Sequence, residues 1–285
     1  MQIGVVFPQN EIGNDPAVIR DYAQAVEALG YSHLLIYDHV LGADPDREPR
    51  LTGPYTDQTP FHEPFVLFGY LAALTSRIEL VTGIIILPQR QTALVAKQAA
   101  EVDILSGGRL RLGIGTGWNY VEYDALGENF HNRGKRQEEQ VELLRKLWSE
   151  PSVDFSGKWH RIDRASILPR PGRQIPIWFG GNDDRVFRRA ARIGDGLIPQ
   201  FAPNDAGKER LAQIREYVKE AGRDPSKFGI EAQVGYNVGP DKWGEHAESW
   251  RALGADYISV RTMNCGLNTP QEHLDAIRLY KETVG

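Results

Sequence analysis

Glycines follow one alternating strand of this chain at a spacing that suits phosphate binding. The segment from Arg109 to Trp118 reads RLRLGIGTGW, so that Gly113, Gly115 and Gly117 come at the end of a β-rich run. Glycines in such places leave backbone N–H groups close to whatever lies beyond the strand, which suits a phosphate group. The dinucleotide-binding fingerprint would need a further glycine at Trp118 and an acidic residue about 20 positions on. The loop alone therefore leaves two interpretations open, a phosphate site and a tight turn without a ligand.

A second pair of glycines, Gly180 and Gly181, precedes Asn182 and Asp183 in the segment WFGGNDD. The pair lies between a predicted strand and a predicted helix. Free N–H groups at a helix N-terminus attract anions, so this turn is a second candidate anion site. Asn182 and Asp183 are also common N-cap residues, and that role needs no ligand.

Two titratable side chains, Asp38 and His39, directly follow another predicted strand. A histidine changes its charge near neutral pH and can therefore give or take a proton, although a residue at a strand end can also serve only as a turn or a cap. Residues 40–63 follow as a long stretch rich in proline, glycine and charge, which we predict to be a loop that acts as a lid. In the next strand, Thr82 and Gly83 lie within a β-branched run, which indicates a bulge, a close backbone approach or simple packing.

The elements that must position these residues alternate between strand and helix. Residues 151–174 interrupt the alternation, and we predict a small hairpin there. The strands lack long polar faces, so we predict a single parallel (β/α)8 TIM barrel over residues 1–285, with an open doubly wound sheet as the second candidate. In a barrel the C-terminal strand ends share one rim, which would bring the candidate residues together. The eight predicted strands are 3–7, 32–37, 78–86, 109–114, 175–179, 196–199, 228–236 and 257–260.

The composition argues against several classes of function. The net charge of −5 is spread along the chain without a basic patch, so we expect neither a nucleic-acid nor a membrane partner. The single cysteine, Cys265, excludes an internal disulfide and fits a cytoplasmic protein. The histidines show no metal-ligand spacing, so no metal site is expected. The nucleophile elbow G-x-S-x-G is absent, which disfavours catalysis by serine.

Four segments together resemble the luciferase-like monooxygenase superfamily, in its branch that depends on the deazaflavin F420. They are YDHV at 37–40, VTGII at 81–85, SGGRLRLGIGTGW at 106–118, and FGG at 179–181 followed by RRAARIGDG at 188–196. No single motif is specific, but their order and spacing are, and the match covers nearly the whole chain. The resemblance implies F420 as the cofactor, with FMN as the alternative, and a homodimer or larger homo-oligomer.

The resemblance also assigns residues to the cofactor. It implies a cis peptide bond between Gly83 and Ile84, next to Thr82, that backs the ring system. Asp38 and His39 match the position that approaches the reactive part of the ring, so both are expected to be catalytic, with His39 as the proton donor or acceptor. The phosphate and its tail would lie among Gly115, Thr116, Gly117, Trp118, Gly180, Gly181 and Asn182.

The chain departs from the superfamily pattern at Trp118, where some deazaflavin dehydrogenases have an acidic residue. We expect Trp118 to pack on the cofactor, on the substrate or in the core. Glu122, one turn further on, is expected to be a solvated helix residue. Gln9, after the first strand, and Arg261, after the last, should point at the rim and contact substrate. There Arg261 would bind an acidic substrate or the anionic cofactor tail, or form a surface salt bridge.

The expected function is therefore an oxidoreductase that transfers a hydride between F420 and a small organic substrate. The alternatives are an FMN-dependent monooxygenase and a flavin-binding barrel without catalysis. A phosphosugar enzyme without a redox cofactor would need a catalytic lysine or glutamate at the strand ends, and no lysine is predicted there.

Overall fold

Parallel strands close into a barrel in the computed structural model, which describes residues 1–285. The strands pair in the order β3-β2-β1-β11-β10-β9-β8-β5, and β3 pairs with β5 to complete the ring. This closure confirms the predicted TIM barrel and excludes the open sheet. The strands are β1 (Gln2–Val6), β2 (His33–Ile36), β3 (Glu79–Thr82), β4 (Ile85–Ile86), β5 (Leu110–Gly115), β6 (Val153–Ser156), β7 (Arg161–Ala165), β8 (Ile177–Gly181), β9 (Gly196–Pro199), β10 (Gly229–Gly235) and β11 (Tyr257–Arg261).

Helices connect the barrel strands and cover the outside of the barrel. Several begin at a capping side chain: the Asp15 side chain accepts a hydrogen bond from the N–H of Ala17, and Thr269 forms a capping box with Glu272. None of the helices is long and apolar enough to cross a membrane. The helices are α1 (Pro16–Ala28), α2 (Pro64–Leu74), α3 (Thr92–Leu105), α4 (Tyr120–Ala125), α5 (Arg133–Ser149), α6 (Asp184–Ile193), α7 (Asp205–Glu220), α8 (Pro240–Ala252) and α9 (Pro270–Val284).

The third barrel strand is interrupted, so the prediction of one continuous strand over 78–86 is wrong. β3 pairs with β2 along its length and with β5 through Leu80 and Val81, whereas β4 pairs with β5 through Ile85 and Ile86. The pairing with β2 ends at Gly83 and Ile84, which are joined by a cis peptide bond as the family resemblance implies. The short step between the two strands places Ile84 at the rim of the barrel.

The insertion at 151–174 contains the predicted hairpin, because β6 and β7 pair antiparallel. Glu139 of α5 accepts hydrogen bonds from the backbone N–H groups of Lys158, Trp159 and His160, at 2.7 to 2.9 Å. The hairpin is thereby fixed against α5 outside the barrel. Residues 40–63 contain no helix or strand, as predicted, and extend over the C-terminal rim.

A buried ionic network fills part of the barrel interior. Arg111 of β5 pairs with Glu231 of β10 at 2.6 Å, and the other carboxylate oxygen of Glu231 contacts His33 at 2.9 Å and Ser259 at 2.7 Å. The Arg111 guanidinium also lies 4.4 Å from the ring centre of Trp178. Burial raises the pKa of Glu231, but Arg111, His33 and Ser259 outweigh burial and hold this pKa at about 2.

Candidate active site

The C-terminal rim of the barrel encloses a cavity of about 990 Å³. Its walls come from residues that follow β1, β2, β5, β8, β9 and β11, from Gln233 of β10, and from the 40–63 loop. The position agrees with the rule that functional groups of TIM barrels lie at the C-terminal ends of the strands. The volume is at the upper end of the range for small-molecule sites, roughly 300 to 1,000 Å³.

Most of the residues singled out from the sequence line this cavity. Residues from separate strand ends therefore lie around one cavity, as the sequence predicts. The lining includes Asp38, His39, Gly83, Ile84, Gly115, Thr116, Gly117, Trp118, Gly180, Gly181, Asn182 and Arg261.

Gln9 and Thr82 do not line the cavity, contrary to the sequence prediction. Both are fully buried beneath it. The Gln9 amide donates a hydrogen bond to the carbonyl of Tyr37 at 3.1 Å, and the Thr82 hydroxyl donates to the carbonyl of Gly113 at 2.7 Å. The two side chains therefore hold neighbouring strand ends in place, because the Gln9 amide nitrogen and the Thr82 hydroxyl both donate to backbone carbonyls inside the protein.

His39 lies between aromatic rings on one wall of the cavity. Its ring centre is 3.8 Å from that of Tyr55 and 4.8 Å from that of Phe61, and both partners belong to the 40–63 loop. The Nδ1 atom of His39 is 3.5 Å from a carboxylate oxygen of Glu122. Nε2 has no hydrogen-bond partner within the protein, and the His39 side chain is 16% exposed. One ring nitrogen is thus available to a ligand while the other faces a carboxylate.

Glu122 is buried behind His39, so the expectation of a solvated helix residue is wrong. Its side chain is 0% exposed. One carboxylate oxygen accepts hydrogen bonds from the backbone N–H groups of Val40 and Leu41, the latter at 3.1 Å. The other lies 3.5 Å from the Tyr55 hydroxyl. The carboxylate joins helix α4, the beginning of the 40–63 loop and the candidate catalytic histidine.

The surroundings of Glu122 keep it ionised. Burial raises the pKa of this carboxyl, but the hydrogen bonds from His39, Val40 and Leu41 outweigh burial and hold the pKa below its ordinary value. Burial also raises the pKa of Tyr55, so its hydroxyl stays protonated and donates to the carboxylate. His39 therefore faces a negative charge at neutral pH.

Asp38 is engaged in a structural ion pair, although it borders the cavity. One of its carboxylate oxygens contacts Arg90 at 2.7 Å and the other accepts a hydrogen bond from the Ile86 N–H at 2.9 Å. Arg90 also pairs at 2.8 Å with Glu63, at the end of the 40–63 loop. Asp38 thus positions β4 and the end of the loop, in contrast to the catalytic role assigned to it from the sequence.

The side chain of Ile84 leaves no room for a side chain at two rim positions, Gly115 and Gly180. A Cβ atom on Gly115 would lie 2.5 Å from Cδ1 of Ile84, and one on Gly180 would lie 2.6 Å from Cγ2 of the same side chain. Ile84 therefore rests on the bare backbone of both neighbouring strands. The result is a smooth apolar surface at the bottom of the cavity, between the two glycine turns.

Trp118 contacts the 40–63 loop. Its ring packs against Gly53 so closely that no side chain would fit there, and its ring centre is 5.3 Å from that of Tyr55 in an edge-to-face arrangement. Asn119 adds hydrogen bonds to the Leu41 carbonyl at 3.2 Å and to the Tyr55 hydroxyl at 3.0 Å. The loop is therefore held over the cavity by residues that follow β5.

A further set of lining residues was not identified from the sequence. Among them, the hydroxyl of Tyr37 donates to the side-chain oxygen of Gln233 at 3.0 Å. Gln233 lies inside β10 and carries no motif, so only the register of the barrel reveals its direction. The polar members of this set outside the 40–63 loop are Asn10, Tyr37, Gln200, Gln233 and Asn264.

The fold and the site define a TIM-barrel enzyme with a cofactor-sized cavity on its C-terminal rim. Residues 1–258 match the sequence profile of the family described as luciferase-like monooxygenase. The chain belongs to this family, whose members here include F420-dependent and FMN-dependent oxidoreductases.

Individual relatives differ in cofactor. An uncharacterised protein of Mycobacterium tuberculosis is 36% identical over 76% of this chain and 77% of its own length. The F420-dependent hydroxymycolic acid dehydrogenase of the same organism is 31% identical over 87% of this chain and 66% of its own length. The FMNH(2)-dependent dimethylsulfone monooxygenase of Pseudomonas fluorescens is 31% identical over 75% of this chain and 56% of its own length.

A solved structure supports the fold. An F420-dependent secondary alcohol dehydrogenase, in complex with an F420-acetone adduct, superposes with a TM-score of 0.80 over 99% of this chain and 98% of the other chain. The two sequences are 19% identical, so the similarity concerns the fold alone.

Proposed function

We propose that this protein is an F420-dependent oxidoreductase that transfers a hydride between the deazaflavin and a small organic substrate. The observation that carries the proposal is the pairing of His39 with buried Glu122 at the wall of the cavity, 3.5 Å apart. Transfer of a hydride to or from a C–O centre also requires the transfer of a proton, and a histidine held by a carboxylate supplies it. The F420-dependent relatives support the choice of cofactor.

The cavity fits a flat, phosphorylated cofactor. The apolar surface of Ile84, between Gly115 and Gly180, offers a place for a ring without protruding side chains. The turns that contain Gly117 and Gly181 leave the backbone open to a phosphate, and both residues have positive φ angles, 62° and 146°. When bound, the cofactor would supply the redox chemistry, and the protein would bind it, orient it and exclude water.

His39 would handle the proton through Nε2. The ionised Glu122 carboxylate accepts a hydrogen bond from the N–H at Nδ1 of His39. The lone pair of the ring is then on Nε2 and faces the cavity. In the direction of substrate oxidation, Nε2 takes the proton of a substrate hydroxyl. In the direction of reduction, the protonated ring returns it. The aromatic contacts with Tyr55 and Phe61 fix the ring in the orientation that both steps require.

An FMN-dependent monooxygenase is the second candidate. The relative that uses FMNH(2) has the same 31% identity to this chain as the F420-dependent hydroxymycolic acid dehydrogenase. The residues around Ile84 would support either ring system, because they contact a flat apolar face.

Cofactor titration separates the two candidates. The purified protein is titrated separately with F420 and with FMN, and the change in cofactor absorbance or fluorescence gives each Kd. We expect F420 to bind at least about tenfold more tightly than FMN, a difference of about 1.4 kcal/mol. Tighter binding of FMN would favour the monooxygenase, and binding of neither would overturn both proposals.

Substitution of His39 tests the proton transfer. His39→Ala should retain F420 binding and lower kcat roughly 10²- to 10⁴-fold on an alcohol that the wild type oxidises. His131→Ala serves as the control, because His131 is exposed and lies outside the cavity. Unchanged turnover by His39→Ala would exclude the catalytic role of this residue.

A further inference from the structure

Arg261 is the only lysine or arginine among the residues that line the cavity. It is the last residue of β11 and is half-buried. Its guanidinium forms neither an ion pair nor a hydrogen bond with any group of the protein, whereas Arg90 and Arg111 each contact two carboxylates. The guanidinium of Arg261 is therefore free to meet a ligand.

The other charged residues of the cavity are already neutralised. Asp38 pairs with Arg90 at 2.7 Å and Asp183 pairs with Arg185 at 2.9 Å. The cavity thus carries one uncompensated positive charge, at Arg261. A ligand that displaces water from this cation without offering a negative charge would leave it poorly solvated, which is unfavourable.

The strand order separates Arg261 from the glycine turns. In the ring of eight barrel positions, β11 lies four strands from β5 and three from β8, which carry the two turns. β2, which precedes His39, is only two strands from β11. Arg261 is thus on the half of the rim that contains His39, and opposite the turn after β5 that suits the cofactor phosphate.

Polar groups surround Arg261 on its neighbouring strands. β11 lies between β1 and β10, and the cavity residues from these two sectors are Asn10 and Gln233. The Gln233 oxygen is engaged by Tyr37 at 3.0 Å, which leaves its amide N–H groups as donors. The side-chain oxygen of Asn10 is buried and has no partner in the protein, so it can accept a hydrogen bond from a ligand. A cation with amide donors beside it is a set suited to an anion.

We propose that the substrate carries a carboxylate that binds Arg261, while its hydroxyl or carbonyl group faces His39. The planar guanidinium matches a carboxylate with two parallel hydrogen bonds. The aromatic rings of His39, Tyr55, Phe61 and Trp118 provide apolar surface for the body of such a substrate. This inference rests on the proposed function and names the class of substrate, a small hydroxy or oxo acid.

The test compares a charged probe with a neutral one of the same shape. Benzoate and benzamide are titrated against the wild type, Arg261→Gln and Arg261→Lys, with the protein free of cofactor and loaded with F420, at low ionic strength. The wild type should bind benzoate at least about tenfold more tightly than benzamide. Arg261→Gln should lose this preference and Arg261→Lys should keep part of it. Lys242→Gln removes an exposed positive charge outside the cavity and should behave as the wild type.

The same titrations decide between substrate and cofactor as the source of the anion. Arg261→Gln should bind F420 within about twofold of the wild type. A loss of F420 affinity of about tenfold or more would assign Arg261 to the anionic tail of the cofactor and overturn the proposal. Equal binding of benzoate and benzamide by the wild type would also overturn it. The titrations of the cofactor-free protein measure the preference for benzoate over benzamide even if F420 does not bind. Their result is therefore independent of the proposed cofactor.

Discussion

Replacement of Glu122 by glutamine separates the two contacts that this carboxylate makes. One oxygen holds the N–H groups of Val40 and Leu41, and a glutamine oxygen can continue to accept both hydrogen bonds. The other oxygen faces His39 Nδ1 and the Tyr55 hydroxyl, which both act as donors, at 3.5 Å each. In the variant an amide N–H stands there. His39 must then carry its proton on Nε2, or lose its contact with residue 122.

The size of the effect follows from these contacts. A hydrogen bond to a charged group contributes about 1.5 to 3 kcal/mol and a neutral one about 0.5 to 1.5 kcal/mol, so Glu122→Gln should reduce the free energy of unfolding by about 1 to 2 kcal/mol. The catalytic effect should be larger, because Nε2 no longer accepts a proton. We expect kcat for alcohol oxidation to fall roughly 10²- to 10⁴-fold, with the Kd of F420 little changed.

The pH dependence gives a second measure of the same group. The pKa of Glu122 in the folded protein lies below its value in the unfolded chain. Its stabilising contribution is therefore complete above the ordinary carboxyl pKa and is lost as the pH falls through the lowered folded value. The difference in unfolding free energy between wild type and Glu122→Gln should be largest near neutral pH and should shrink below about pH 4.

The assays are steady-state kinetics of the F420-loaded enzyme and urea unfolding at several pH values. Glu142→Gln is the matched control, because Glu142 is exposed on α5. A Glu122→Gln variant with wild-type kcat would refute the argument that this carboxylate sets the protonation of His39. A stability difference that grows towards acid pH would refute the assignment of an ionised Glu122.

Three other substitutions test the fold and the site. Glu231→Gln should lower the free energy of unfolding by about 3 kcal/mol above pH 4.5. The wild type should lose this stabilisation as the pH falls towards the folded pKa of Glu231, about 2. Urea unfolding from pH 7 to pH 2 should therefore show that the wild type is more stable than the variant near neutral pH and equally stable in acid. Gly180→Ala should force Ile84 into the cavity and weaken cofactor binding roughly 5- to 100-fold. Titration should show that an added Ile84→Ala substitution restores part of the affinity, because it relieves the clash but also removes apolar surface, and a double variant as weak as the single one would contradict this contact. Trp118→Ala should free Gly53 and make residues 40–63 more sensitive to proteolysis than in the wild type, and equal cleavage rates would contradict the role of Trp118 in holding the loop.

The barrel and the location of its site could be predicted because their signals are local. Each strand is a short apolar run bounded by turn residues, and eight such runs alternate with helices. Once the strands are parallel and the sheet closes, the residues after them must share a rim. Gly115 and Gly180 are therefore brought together by topology, although they are far apart in the chain.

The remaining features depend on contacts between distant segments. Helix α4 has only six residues, so its periodicity could not show which side is buried. Glu122 is covered because the 40–63 loop folds over it, and that loop carries no repeating pattern. The direction of Thr82 and the break at Gly83 both depend on where the pairing with β2 ends, because β5 pairs with the chain on both sides of the break. Gly83 within the β-branched run indicates a bulge, but the run does not show where the pairing with β2 ends.

Trp118, which follows the glycine loop where some deazaflavin dehydrogenases have an acidic residue, has a structural role in this protein. Trp118 packs on Gly53 and Tyr55, and so holds the 40–63 loop over the cavity. Glu122, four residues further on, reaches His39 from behind and binds the first two N–H groups of the same loop. One carboxylate therefore contacts both the beginning of the 40–63 loop and the candidate catalytic histidine, so a substitution at Glu122 affects the loop and His39 together.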